Sequence, residues 1–157
     1  MDCRSKRIDF VEKVIVKVTG EQTDAAGEVS RIGTTAVGKH YFRRGRHYII
    51  YDDTTLAEGV SVRTMLKVAP GALILTRRGA VEQEQRFIPG QESRSRYRTP
   101  FGELELCVAT KRLDIAYDAV FGQIDVVYAM HINGAWHSAN KLHIEVMPDA
   151  SEGRECR

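Results

Sequence analysis

Several polar side chains stand where the surrounding sequence calls for apolar ones. Arg77, Tyr97, Thr99, Thr110, Tyr128 and Asn140 each fall in phase with the apolar residues of an alternating segment. In a strand, every second side chain faces the same way. Thr64, Gln83, Gln85, Ser93, Ser95 and Ser138 share that inward phase. A guanidinium keeps its charge and needs several acceptors, so an inward Arg77 has two readings. It can anchor a ligand carboxylate or phosphate, helped by Tyr97 or Tyr128. It can also close one end of the fold, bonded to main-chain carbonyls or to Asn140. Each buried polar group left unpaired costs about 1–3 kcal/mol. The inner face is therefore either an internal hydrogen-bond network or a hydrated cavity for a small ligand, with Arg77, Tyr97, Thr99, Thr110, Tyr128 and Asn140 as the candidate binding set.

Other chemistry finds less support. No Ser–His–Asp or Cys–His arrangement stands out. Acidic residues within the alternating runs mostly face outward, so the carboxylate pair that acid–base catalysis uses is missing and no enzyme is expected. His131, His137 and His143 share the outward phase with Asp125. A facing His131–His137 pair could hold zinc, but solvated surface histidines are the simpler reading, and no metal or other cofactor is expected. Cys3, Cys107 and Cys156 lack CxxC spacing and read as reduced thiols, with a Cys3–Cys156 redox pair as the alternative. TPFG, residues 99–102, combines a fixed φ, a glycine and a turn-capping Thr, and reads as a structural corner. Arg43, Arg44 and Arg46 lie near Phe42 and Tyr48, and Arg94, Arg96 and Arg98 line one outward face. Arginines interleaved with aromatics can bind RNA, but interspersed acids favour a solvated face. The formal net charge of only +2 gives nucleic acid little help. A small-molecule ligand inside the fold is the leading expectation, and an interaction module for nucleic acid or protein on the outer Arg-rich surface is the alternative. Oligomeric state is not legible.

The elements that must position these residues are strands. Val14, Val16 and Val18 alternate with polar or outward neighbours, as do Val60 to Val68, Leu73 to Arg77 and Leu104 to Thr110. Turn signals separate the runs: Asp24 to Gly27, Arg44-Gly45, Pro70-Gly71, Pro89-Gly90, Pro100-Phe101-Gly102, Gly122 and Asn133-Gly134. At Lys111-Arg112 the apolar phase slips by one residue, which a β-bulge explains more simply than a helix over Leu113 to Phe121. Opposed residues share a face, so turn lengths can be tested. A two-residue loop at Pro70-Gly71 sets Leu66 opposite Leu75 and Thr64 opposite Arg77, and the faces match. A two-residue loop at Asn133-Gly134, continued without a break, would set Val126 opposite Lys141. That predicts an odd loop, of three residues with Gly134 left-handed and a bulge beside it, with Trp136 and Leu142 facing inward. The same reasoning predicts an odd loop or a bulge at Pro89-Gly90.

The result is an all-β chain of about ten antiparallel strands in consecutive hairpins. Closing it into a single up-and-down barrel removes both edges. The 157 residues, with 43% hydrophobic and 28% charged content, fit one globular domain with a core over roughly 10–148. Short polar termini, Met1 to Asp9 and Asp149 to Arg157, are expected to fray. No apolar run approaches the roughly 20 residues of a membrane helix, and the first residues lack an export signal, so the expected compartment is the cytoplasm.

Several stretches carry a resemblance: VIVKVTGEQTDAAGEV, HYIIYDD, LTRRGAV, YRTPFGELEL followed by Thr110, and YAMHING with Asn140-Lys-Leu. The ordered set Arg77, Gly79, Tyr97, Thr99, Pro100, Gly102, Thr110, Tyr128 and Asn140 resembles the YwiB-like bacterial family, a domain of unknown function with a lipocalin-like (calycin) barrel. The resemblance runs nearly end to end. It implies the barrel and no activity. Calycins commonly set a first-strand Trp against a late-strand Arg, whereas Trp136 is the only Trp here and lies near the far end.

Overall fold

The computed structural model describes residues 11–56, 58–118 and 121–149, and all regular structure there is antiparallel strand. The strands are β1 (Glu12–Asp24), β2 (Val29–Arg43), β3 (Arg46–Asp53), β4 (Val62–Ala69), β5 (Ala72–Arg78), β6 (Gln83–Phe87), β7 (Glu92–Thr99), β8 (Gly102–Tyr117), β9 (Gly122–Ile132) and β10 (Ala135–Pro148). They form one sheet in the order β6-β5-β4-β3-β2-β1-β10-β9-β8-β7, curled into a nearly closed barrel. Cys107 is free and half-buried, in the outward phase, while Cys3, Cys156 and the termini expected to fray lie outside the described residues, except Asp149.

Alternation sets the faces as the sequence predicts. Val14, Val16, Val62, Thr64, Leu66, Val68, Leu73, Leu75, Leu106, Val108 and Thr110 are buried. Pro70-Gly71 is a two-residue loop that brings Leu66 opposite Leu75 and Thr64 opposite Arg77. The bulge falls between Thr110 and Arg112, with Lys111 as the extra residue, so Leu113, Ile115 and Tyr117 rejoin the inner face.

Two predicted turns come out differently. Asn133-Gly134 is a two-residue loop after all, with Ile132 paired to Ala135. Both central residues have positive φ, 49° and 88°, the twist-matched hairpin geometry that Asn-Gly favours. The extra residue that parity demands lies further on, at a bulge between Trp136 and Ser138. It restores Leu142 opposite Val126. Trp136, ahead of the bulge, pairs with His131 and is 45% exposed, so its expected inward position is corrected to an outward one. His131 therefore does not face His137. At Pro89-Gly90 a tight turn closes with Gln91 N donating to Ile88 O at 3.0 Å. No β6–β7 hairpin follows, so the parity argument has no ladder to act on. β6 and β7 are instead the two ends of the sheet.

Those ends meet at a seam. One backbone bridge joins it, Glu82 to Arg98, with N–H···O distances of 2.9 and 3.0 Å in the two directions. The opposite side of the barrel is held by the long β1–β10 ladder, from Val14↔Pro148 to Asp24↔Ser138. β2 parts from β3 at Gly38, the last residue to pair with it. A Cβ at Gly38 would come within 2.6 Å of Ile50 O, so the close approach there requires glycine. Beyond that point residues 29–37 of β2 pair only with β1 among the described residues, and they form a lip.

Candidate functional site

The barrel interior divides along its axis. At one end Val14, Val16, Leu73, Ile124, Ile144 and Val146 pack a solid apolar core. That end is capped by rings from both sides of the barrel: Tyr117 stacks on His47 at 3.8 Å between centroids, and His40 stacks on both. A hydrogen-bonded chain runs through the cap. Glu12 Oε1 lies 2.9 Å from His40 Nδ1, and His40 Nε2 lies 3.0 Å from His47 Nδ1. Burial and then the neighbouring His40 push the His47 pKa below its ordinary value, and burial and then Glu12 raise that of Tyr117. Sequence reasoning did not find this cluster, because it needs the β1–β2–β3 register and a contact across the barrel.

The other end is hollow. A cavity of about 570 Å³ opens there, walled by Val18, Leu66, Leu75, Phe87, Leu106, Val108, Met130, Leu142 and Ile144, with Ile32, Thr34, Thr55 and Leu56 near its mouth. Six residue steps along β3 separate His47 at the capped end from Asp53 at the open end, roughly 20 Å at about 3.3 Å per residue. Phe87 against Tyr128, rings 5.1 Å apart, marks the boundary between the two regions.

Arg77, Tyr97, Tyr128 and Asn140 line this cavity, and Thr99 and Thr110 do not. The Thr99 hydroxyl caps the corner, donating to Gly102 O at 3.2 Å and accepting from Phe101 N at 3.1 Å, as the TPFG reading requires. Thr110 is buried beside the β8 bulge with an unpartnered hydroxyl. Asn140 donates to Ser138 Oγ at 3.0 Å and is not bonded to Arg77. Arg77 has different partners from those expected. Its Nη1 donates to Gln83 Oε1 at 2.8 Å, and its Nη2 lies 3.8 Å from Asp53 Oδ2. From Gln83 the chain continues across the seam: Gln83 Nε2 donates to Ser95 Oγ at 3.3 Å, Ser95 Oγ to Gln85 Oε1 at 2.8 Å, and Gln85 Nε2 to Arg86 O at 3.0 Å. Much of the polar inner face therefore stitches the two sheet ends where the ladder is missing.

Asp53 was missed as an inward carboxylate. It is buried, and its Oδ1 accepts from Thr55 N at 2.8 Å and Thr55 Oγ at 2.6 Å. The signal was available, since Ile49, Tyr51 and Asp53 share one phase of HYIIYDD. Burial, then Asp53, push the Tyr51 phenol up to about 12, with Arg77 opposing. Burial raises Tyr128 too, again against Arg77. Both phenols thus keep their protons at neutral pH. The Arg77 Nε is buried without a partner. The guanidinium and the two phenols set several donors on this wall.

A small all-β barrel with one packed end and one hollow, partly polar end is the class that fold and site define. Residues 16–144 match the family described as Domain of unknown function (DUF1934), and the chain belongs to that family. It is 34% identical over 112 residues, 71% of this chain and 75% of the other, to the uncharacterized beta-barrel protein YwiB of Bacillus subtilis (strain 168). It also superimposes on the crystal structure of ywiB protein from Bacillus subtilis with a TM-score of 0.81 at 26% identity, covering 94% of this chain and 99% of that one. No helix of the described residues is long and apolar enough to cross a membrane.

Proposed function

We propose that this protein binds a small molecule in the hollow end of its barrel. The observation that carries the reading is the cavity of about 570 Å³, with apolar walls and a few convergent polar groups around Arg77. Ligand sites generally have this size and makeup, and barrels of about this strand number can enclose one small ligand. A β-barrel built only to be stable would fill that space, since interiors are close-packed. Binding and no catalysis is assigned, and the cytoplasm remains the expected compartment.

The alternative, an interaction module on the outer Arg-rich surface, has less support. Arg94 lies 3.7 Å from Glu105, and Arg98 lies 2.9 Å from Glu103 and 3.7 Å from Glu82, so two members of that stripe are already paired with acids. The deciding experiment is a thermal-shift screen of uncharged, anionic and cationic small molecules against the wild type and Met130→Trp, which fills the cavity. Ligands that raise the wild-type Tm and leave Met130→Trp unmoved support the reading. A screen with no shift, or with equal shifts in both proteins, rejects it.

A further inference from the structure

We infer that the ligand of this cavity is an uncharged molecule with an apolar body and an acceptor oxygen, as in an amide, ester or ketone, the oxygen lying beside Arg77. The inference rests on the cavity-binding reading and adds the class of molecule. Its first support is the charge count. Arg77 is the cation within the polar wall, and Asp53 stands 3.8 Å from it, with their side chains only 17% and 6% exposed. The pair is balanced. A buried anion would leave this end with a net negative charge, and a buried cation with a net positive one. Either carries the desolvation cost of an uncompensated charge.

The mouth does not change that balance within the cavity. Arg31 is paired with Glu21 at 2.9 Å. Lys141 adds one cation, but it is exposed, where water screens it.

The second support is the set of donors around Arg77. Gln83 takes one of the five guanidinium protons, and the distance to Asp53 is too long for a hydrogen bond. One Asp53 oxygen is already occupied by two donors from Thr55. The protonated phenols of Tyr51 and Tyr128 line the same space and supply further donors. A neutral carbonyl accepts from these donors without adding charge. Leu106, Val108, Met130 and Leu142 make up much of the remaining wall, so the body of the molecule is apolar.

The test compares three probes with one chain: octanamide, octanoate and octylammonium. Affinities for the full chain are measured by isothermal titration at pH 7.5. Octanamide should bind the wild type at least about tenfold tighter than octanoate, with octylammonium weakest. Asp53→Asn removes the balancing charge, so octanoate should gain at least about tenfold on octanamide in that variant. If Asp53→Asn does not fold, the wild-type ratio decides alone. Octanoate or octylammonium matching or exceeding octanamide in the wild type overturns the ligand class and leaves cavity binding standing. Octanamide binding equally well to Met130→Trp overturns it too, because the amide is then not in the cavity. If none of the three binds, this class fails, while the cavity reading is decided by the broader screen.

Discussion

The two ends of the barrel are built from the same strands and solve opposite problems. β1, β5 and β9 each contribute apolar side chains to the packed end and then run on into the hollow one, where Val18, Arg77 and Tyr128 border open space. At the packed end stability comes from removing apolar surface from water. At the hollow end it rests on a chain of charge-assisted and neutral hydrogen bonds that bridges the seam and leaves room beside it. The comparison teaches that the polar inner residues are not simply a lining. Gln83, Gln85 and Ser95 hold the wall together, while Arg77 both joins that chain and lines what remains unfilled.

Breaking the polar end should have the largest effect. Arg77→Met strands Asp53 as a buried charge and should cost about 3–5 kcal/mol, as removal of one partner from a buried pair does. Arg77→Met with Asp53→Asn should recover much of that loss. Urea melts of the wild type, both single variants and the double variant close the cycle, and a double variant no better than Arg77→Met would show that the pair is not the source.

Truncations sharpen the contrast. Ile124→Ala, which cuts into the core away from the cavity, should cost about 2–5 kcal/mol. Leu142→Ala, on the neighbouring strand β10 and half-buried beside existing space, should cost no more than about 2 kcal/mol. Equal losses in denaturant melts would mean that the hollow end is as tightly packed as the other.

The aromatic cap predicts a pH dependence. His47 has a folded pKa below the unfolded value of 6.5, so the unfolded chain binds its proton first. Its contribution is intact above pH 6.5 and falls away as the pH drops below that, towards its folded value. His40, Glu12 and Tyr117 surround it. On the outer face His143 acts in the opposite sense. Hydrogen bonds to Glu145 and Asp125 raise its pKa, so its contribution is present below pH 6.5 and lost as the pH rises through its folded value. In a His143→Gln background Tm should therefore fall between pH 7 and pH 5, and a further His47→Phe should flatten that fall. The smallest effect belongs to the mouth, where Lys141→Ala should change stability by no more than about 0.5 kcal/mol.

Much of this was legible in the sequence. Period-2 alternation identified the inner faces and, through its slip, the bulge at Lys111-Arg112, and parity placed the Pro70-Gly71 loop. Parity also required an odd residue near Asn133-Gly134. It counts residues without locating them, so it put the extra one in the loop, although Asn-Gly favours a two-residue turn and β10 had room to bulge. The error turned Trp136 to the wrong side. The seam was hidden for a different reason. Pro89-Gly90 looks like any other hairpin turn, and only the long-range β1–β10 pairing decides which strands are left as edges. Four of the six candidate site residues reach the cavity. Thr99 and Thr110 do not, because phase says which way a side chain points and not what already occupies the space in front of it.

The pairing of β1 with β10 also bears on how the chain comes to be folded. The sheet is two meanders, β1 to β6 and β7 to β10, each made of local hairpins and joined through strands from opposite ends of the described sequence. Hairpins form in microseconds, whereas a ladder between distant segments waits on a large loss of chain entropy. On the ribosome, β1 to β6 can zip up while Val14, Ile15, Val16 and Val18 still present an open edge. That edge is complete and unpaired until the last strand emerges, which makes the nascent six-stranded sheet the species most exposed to wrong partners.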